Sequence, residues 1–106
     1  MLLINFLDRR FPNWERLSVR ELNRRLQRLG PQEFRLRHRN TDVEGRLRVA
    51  WPNARQATFC DGRNWVTVEE YFERRYQRRL RFPHIPLFFI EDPRSLYPVE
   101  VLEIYD

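Results

Sequence analysis

Two short runs decide most of what this chain can fold into. In Glu33-Phe34-Arg35-Leu36-Arg37 and Arg46-Leu47-Arg48-Val49, apolar and arginine side chains alternate strictly. A period of two puts Phe34 and Leu36 on one face of a strand and Arg35 and Arg37 on the other. Leu47 and Val49 oppose Arg46 and Arg48 in the same way. His38 keeps the apolar parity of the first run. Asn40 to Gly45, lying between the runs, reads as a hairpin loop.

The rest of the chain fits around such strands. Leu2–Phe6 is a short apolar run and reads as a first strand. In LSVRELNRRLQRLGP, Ser18 and Glu21 have capping-box spacing, Leu17 can staple onto Leu22, and Val19, Leu22, Leu26 and Leu29 recur at helical intervals. Gly30-Pro31 is the stop signal. QATF reads as a short strand closed by the turn Asp61-Gly62. Thr67 and Glu70 form a second capping box, so a helix starts near Val68 and ends by Phe82-Pro83 at the latest. PLFFIE and VEVLEIY read as strands. No linker, low-complexity tract or internal repeat interrupts the 106 residues, which suit one domain spanning 1–106. The fold class is α+β, mainly β, a small barrel with an inserted element and an N-terminal helix.

Charge points to a partner. The net charge is +5, and all 20 basic residues are arginine. The planar guanidinium fork suits phosphate and stacks on rings, which makes nucleic acid a natural partner. GC-rich codon usage explains the absence of lysine equally well, but not the positive balance. No apolar run reaches the roughly 20 residues of a membrane span, and Met1-Leu2-Leu3-Ile4 is too soon interrupted by Asp8-Arg9-Arg10 to read as a secretory signal. Cys60 is alone, so an intrachain disulfide is excluded and a reducing compartment is expected: the cytoplasm, with the nucleus also open. Two histidines and one cysteine make a poor zinc set, and no nucleophile elbow, H-E-x-x-H or phosphate-loop glycine pattern is present. A binding module without catalysis or cofactor is the expectation.

The stretch VTVEEYFERRYQRRLRFPHIP carries the binding signal. At about 100° per residue, Tyr71 and Tyr76 flank the arc of Val68, Phe72 and Arg75. Two readings are compatible. Val68 and Phe72 pack inward with the tyrosines rimming the core, and the tyrosine hydroxyls donate to a phosphate that Arg75 neutralises. Arg74, Arg78 and Arg79 read as solvated or as diffuse backbone contacts.

TVEEYFERRYQRRLRFPHIPLFFI, followed by LYPVEVLEI, resembles the PAZ domain of Argonaute proteins. The likeness is dense over Thr67 to Ile104 and collinear but weaker upstream. It implies an OB-like β-barrel with an inserted hairpin-and-helix lobe, and a function: holding the 3′ end of a small single-stranded RNA in a cleft between the two, as one monomeric module of a larger silencing protein. By this resemblance Tyr71 and Tyr76 match the phosphate-binding tyrosines and Arg75 the basic residue before the second. His38 matches a strand-end histidine, Phe59 the aromatic against the terminal nucleotide, and Arg94 a basic residue before a late tyrosine. The sequence departs from the pattern at Leu47, where the family often has a tyrosine, leaving Arg46 or Arg48 as the replacement. It departs again at Leu96-Tyr97, whose order is swapped, which leaves open whether Tyr97 reaches the cleft. A Dicer-type module for double-stranded ends and a protein-interaction domain without RNA binding are the competing functions. A Dicer-type module would carry an extra basic insertion, which is not evident here.

Overall fold

The computed structural model describes residues 1–105. Seven strands and three α-helices follow in the order α1 (Leu3–Arg10), α2 (Val19–Leu26), β1 (Gln32–Leu36), β2 (Thr41–Gly45), β3 (Leu47–Asn53), β4 (Thr58–Cys60), β5 (Trp65–Thr67), α3 (Val68–Tyr76), β6 (Pro86–Ile90) and β7 (Leu102–Tyr105). The alternating runs form strands as their spacing requires. Phe34, Leu36, Leu47 and Val49 are all buried, while the arginines between them stay at least partly exposed.

β1 lies between β2 and β7 in an antiparallel sheet, with Phe34 opposite both Val43 and Ile104. β3 and β6 form a second sheet, with Leu47 opposite Ile90 and an irregularity between Val49 and Asn53. The two sheets meet at a corner at Gly45-Arg46. There the backbone N–H of Glu91 donates to the Arg46 carbonyl at 3.0 Å, and the chain passes from one sheet to the other. The arrangement is OB-like, but the strands do not close into a continuous barrel. The third sheet, the β4–β5 hairpin, joins α3 in a lobe inserted between β3 and β6.

Several expectations are corrected. Leu2–Phe6 is not a strand. Leu2 makes a single bridge to Glu103, and the chain then turns into α1, because Leu3 and Leu7 stand one helical turn apart and both bury completely. Asn40–Gly45 is not a loop: Arg37–Asn40 makes the turn, with Asn40 at φ 56°, and Thr41–Gly45 is β2, the true hairpin partner of β1. The Leu47–Val49 run pairs instead with β6. Only half of the first capping box forms. Ser18 Oγ accepts from Glu21 N at 3.1 Å, but the Glu21 carboxylate goes to Arg24 and Arg25, at 3.0 and 3.3 Å. Val99–Val101 is a 3-10 turn, so the last strand starts at Leu102.

Two devices seat the elements that matter for the site. Asn23 of α2 takes both backbone groups of Val49, donating to its carbonyl at 2.9 Å and accepting from its N–H at 2.7 Å, as a neighbouring strand would. The lobe is tied at its root: Val68 N donates to Ala57 O at 3.0 Å and Glu69 N to Ala54 O at 2.9 Å, beside an Arg55–Glu69 ion pair at 3.2 Å.

Candidate nucleic-acid interface

α3 begins with the full capping box. Glu70 N donates to Thr67 Oγ1, and Thr67 N donates back to the Glu70 carboxylate, both at 3.1 Å. Val68 and Phe72 bury against the core and fix the rotation of the helix. Gln77 ends it in the left-handed conformation, φ 51°, well before Phe82-Pro83. The Glu100 carboxylate then accepts from the backbone N–H groups of Arg81 and Phe82, at 3.0 and 3.1 Å, and pins the returning chain.

This rotation leaves Tyr71 and Tyr76 partly buried beside Phe72. Between the lobe and the sheets runs a cleft of about 310 Å³. The lobe contributes Phe59 and Tyr71, the turn after β1 contributes His38 and Arg39, and the segment before the last 3-10 turn contributes Arg94, Leu96 and Tyr97. Phe59 and Tyr71 meet edge-on at 4.9 Å between ring centres. Phe59 thus stands beside Tyr71 on the lobe, and His38 comes from the sheet side.

Five of the eight residues singled out by sequence line this one cleft: His38, Phe59, Tyr71, Arg94 and Tyr97. Tyr76 joins them through its ring, 5.1 Å from that of His38 and 5.9 Å from that of Tyr71. Arg75 is exposed, with its guanidinium 5.5 Å from the centre of the Tyr76 ring, a cation–π contact. Arg46 lies elsewhere, at the corner between the sheets, 3.7 Å from the Glu91 carboxylate. The swapped Leu96-Tyr97 order does not carry Tyr97 away. Its backbone exchanges two hydrogen bonds with Phe88, at 2.8 and 2.7 Å, and its ring lies 5.9 Å from that of His38.

Leu47 is 1% exposed and belongs to the core. Arg48 turns its guanidinium onto the Leu47 carbonyl at 2.7 Å. Sequence reading missed Arg39. The available signal was its position immediately after His38, in the turn that delivers both to the cleft.

The electrostatics are one-sided, since among the described residues no carboxylate lines the cleft. Burial, aided by the charges of Arg39 and Arg78, lowers the His38 imidazole from 6.5 to about 4, so the ring is neutral near pH 7. Its Nδ1 is shielded from solvent and has no hydrogen-bond partner among the described residues. Burial raises the Tyr71 hydroxyl above the ordinary tyrosine value, with the Tyr76 hydroxyl adding to the effect. Burial pushes Tyr76 the same way, but the Arg39 guanidinium beside it, the Tyr71 hydroxyl and the charge of Arg75 outweigh that and bring it below the ordinary value. Such a surface offers hydroxyl and guanidinium donors, a neutral imidazole and aromatic rings. It is suited to an anion that carries a flat group.

Among the described residues no helix is long and apolar enough to cross a membrane, and no group of three metal-ligating side chains gathers. No family model and no curated protein matches the sequence. Solved structures do match. The PAZ domain of Drosophila Argonaute 2, studied for recognition of nucleic-acid 3′ ends, superposes with a TM-score of 0.74 at 20% identity, covering 100% of this chain and 94% of that one. The Drosophila Ago PAZ domain in complex with 3′-end 2′-O-methylated RNA gives 0.70 at 19% identity, covering 100% and 98%. Kluyveromyces polysporus Argonaute, solved with a guide RNA, gives 0.53 at 19% identity over 94% of this chain but 12% of that one. The chain has the fold of an Argonaute PAZ domain.

Proposed function

We propose that this chain binds the 3′ end of a small single-stranded RNA, taking the terminal nucleotides into the cleft between lobe and sheets. The observation that carries the reading is the gathering of His38, Arg39, Tyr71 and Tyr76 at one cleft that no described carboxylate lines, with the Phe59 ring beside them. The Tyr71 and Tyr76 hydroxyls donate to the phosphate of the terminal linkage, and Arg39 and Arg75 neutralise it. Phe59 stacks on the last base, a contact worth about 1–3 kcal/mol. Arg94 stands at the mouth, held by Asp92 at 3.1 Å, and Tyr97 backs His38. β3 supplies no hydroxyl, because Leu47 is in the core, so the grip rests on the lobe tyrosines and the His38-Arg39 turn. Arg46 takes no part.

At about 310 Å³ the cleft is near the lower limit of small-ligand pockets, which suits a chain end better than the body of a strand. The module works by binding, without catalysis or cofactor. On this reading it acts as a monomer and as part of a longer Argonaute-like chain, the latter in keeping with its match to 12% of the Kluyveromyces protein.

Titration of 5′-labelled single-stranded RNA tests the reading. A 3′ hydroxyl end should bind in the micromolar range, a 3′ phosphate end more weakly, and a blunt duplex more weakly still. Indifference to the 3′ group would sink the claim. Preference for a duplex overhang over a single strand would move the assignment to the Dicer type.

A further inference from the structure

Most of the chain's net charge belongs to residues that do not line the cleft. Residues 1–30 carry seven arginines against Asp8, Glu15 and Glu21, which is +4 of the total of +5. None of them borders the cleft. Asp8 and Glu15 share a hollow with Arg16. Much of the excess therefore falls on α2 and the 3-10 turn Gln27–Leu29 that continues it, where Arg20, Arg24, Arg25 and Arg28 stand against a single carboxylate. That carboxylate, Glu21, reaches Arg24 and Arg25 at 3.0 and 3.3 Å. Arg20 and Arg28 have no carboxylate within ion-pair distance among the described residues. β3, on which α2 is seated through Asn23 and Val49, contains no acidic residue.

The arginines also form a pattern. Arg20, Arg24 and Arg28 recur every four residues, so they line up along one side with a step of about 6 Å. From Val19 to Leu29 the exposed residues are these three and Gln27. Leu22 and Leu26, on the opposite side, are buried in the core. Packing explains the apolar side but not the charged one. Like charges one turn apart disfavour a helix, and only Arg24 is relieved by a carboxylate. A polyanion laid along the stripe relieves all three. A protein partner needs an apolar anchor, and the exposed side of α2 offers none. Guanidinium forks at a regular step suit the repeating phosphates of a nucleic-acid strand, which are held without reading sequence.

We propose that the outward side of α2 is a second RNA site, independent of any chain end, in which Arg20, Arg24 and Arg28 lie along the phosphate backbone of one strand. Its residues are separate from the cleft, and it does not depend on the end-binding reading. The module then holds RNA at two places, by its end in the cleft and by its body along α2. No ring stands on the stripe to stack on a base, so the second contact has no sequence preference and weakens steeply with salt.

The test uses a circular single-stranded RNA of about twenty nucleotides, which presents backbone but no end. It is titrated against the wild-type chain, the stripe variant Arg20→Gln/Arg24→Gln/Arg28→Gln, and a control of equal net charge, Arg46→Gln/Arg63→Gln/Arg81→Gln, whose exposed positions lie on neither α2 nor the cleft. The stripe variant should bind the circle about tenfold more weakly at low salt, with a logarithmic salt slope shallower by about 2, three phosphates at roughly 0.7 each. The control should keep the wild-type affinity to within about twofold. Unchanged urea midpoints certify both folds. The proposal is overturned if the stripe variant keeps its affinity for the circle, or if the control loses as much. It is also overturned if poly-glutamate, or vesicles containing phosphatidylserine, bind as tightly as RNA of equal charge and with the same dependence on the stripe. Those results would assign the helix to an acidic protein segment or to a membrane surface. Loss of circle binding in the stripe variant supports the proposal even where the wild type binds linear and circular RNA equally, a result that counts against the cleft reading alone.

Discussion

The imidazole of His38 meets the ring of Tyr76 edge-on, with 5.1 Å between centres and 87° between planes. One residue lies within the turn that follows β1, and the other is the last residue of α3. The contact therefore joins the sheet side of the cleft to the lobe. Phe72 at 5.0 Å and Tyr97 at 5.9 Å complete a box of rings around the imidazole. Such a box accepts a neutral imidazole and disfavours a charged one, which is why the pKa falls and why Nδ1 stays without a partner.

This enclosure makes stability depend on pH. In the unfolded chain His38 takes up a proton as pH falls through about 6.5, whereas in the folded chain it resists until about 4. The stabilisation from neutral His38 is complete above the unfolded value and is lost progressively as pH falls between the two. The ring is only half-buried, which discounts the effect to about 1–2 kcal/mol. Urea unfolding at pH 7 and pH 4.5 should show a drop of this size in the wild type beyond that in His38→Phe. Equal drops in the two proteins would refute the assignment.

Two phenylalanines one ring apart from Tyr71 should separate binding from folding. Phe59 is partly exposed on the cleft wall, and Phe72 is buried, 3% exposed. Phe59→Ala should cost RNA affinity by about 1–3 kcal/mol with little change in unfolding free energy. Phe72→Ala should cost about 3–5 kcal/mol of stability. Affinity and denaturation measured on both variants check the split.

Tyr76→Phe removes one hydroxyl and keeps the ring against His38. If that hydroxyl donates to a phosphate, the variant should lose about 1.5–3 kcal/mol of RNA affinity, as expected for a hydrogen bond to a charged group, with thermal stability nearly unchanged. Unaltered binding would reduce Tyr76 to a packing role.

Gly45 is held at φ 157° at the sheet corner, and a Cβ there would collide with Glu91 Cγ and come within 3.0 Å of Ile90 Cγ2. Gly45→Ala should therefore destabilise the chain by about 1–3 kcal/mol, measured by denaturant unfolding. An unaffected midpoint would show that the corner can relax.

Local patterns reported the elements whose faces are fixed by one kind of neighbour. β1, β3 and α3 were legible because Phe34, Leu36, Leu47, Val49, Val68 and Phe72 mark a single buried side each. α1 was misread because Leu2-Leu3-Ile4 is apolar throughout, and only tertiary packing of Leu3 and Leu7 selects the helical period. β2 was misread because Thr41–Gly45 is polar and largely exposed, and its pairing is set by the turn at Asn40. That the aromatic residues gather at one cleft was legible through their spacing and through the family likeness. The presence of Arg39 there was not, because it depends on the turn that carries it to the cleft. Arg46, expected at the RNA site, does not line the cleft, because the bend at Gly45 turns it toward Glu91, which sequence alone does not disclose.

The most direct test of end recognition compares a linear single-stranded RNA of about ten nucleotides with its covalently circularised form, identical in sequence and differing in charge only by the closing phosphate. The account predicts micromolar binding of the linear RNA and at least about tenfold weaker binding of the circle, the penalty of about 1.4 kcal/mol or more for withholding an end from the cleft. Equal affinity for the two would contradict it and leave a chain that binds RNA only by its charge.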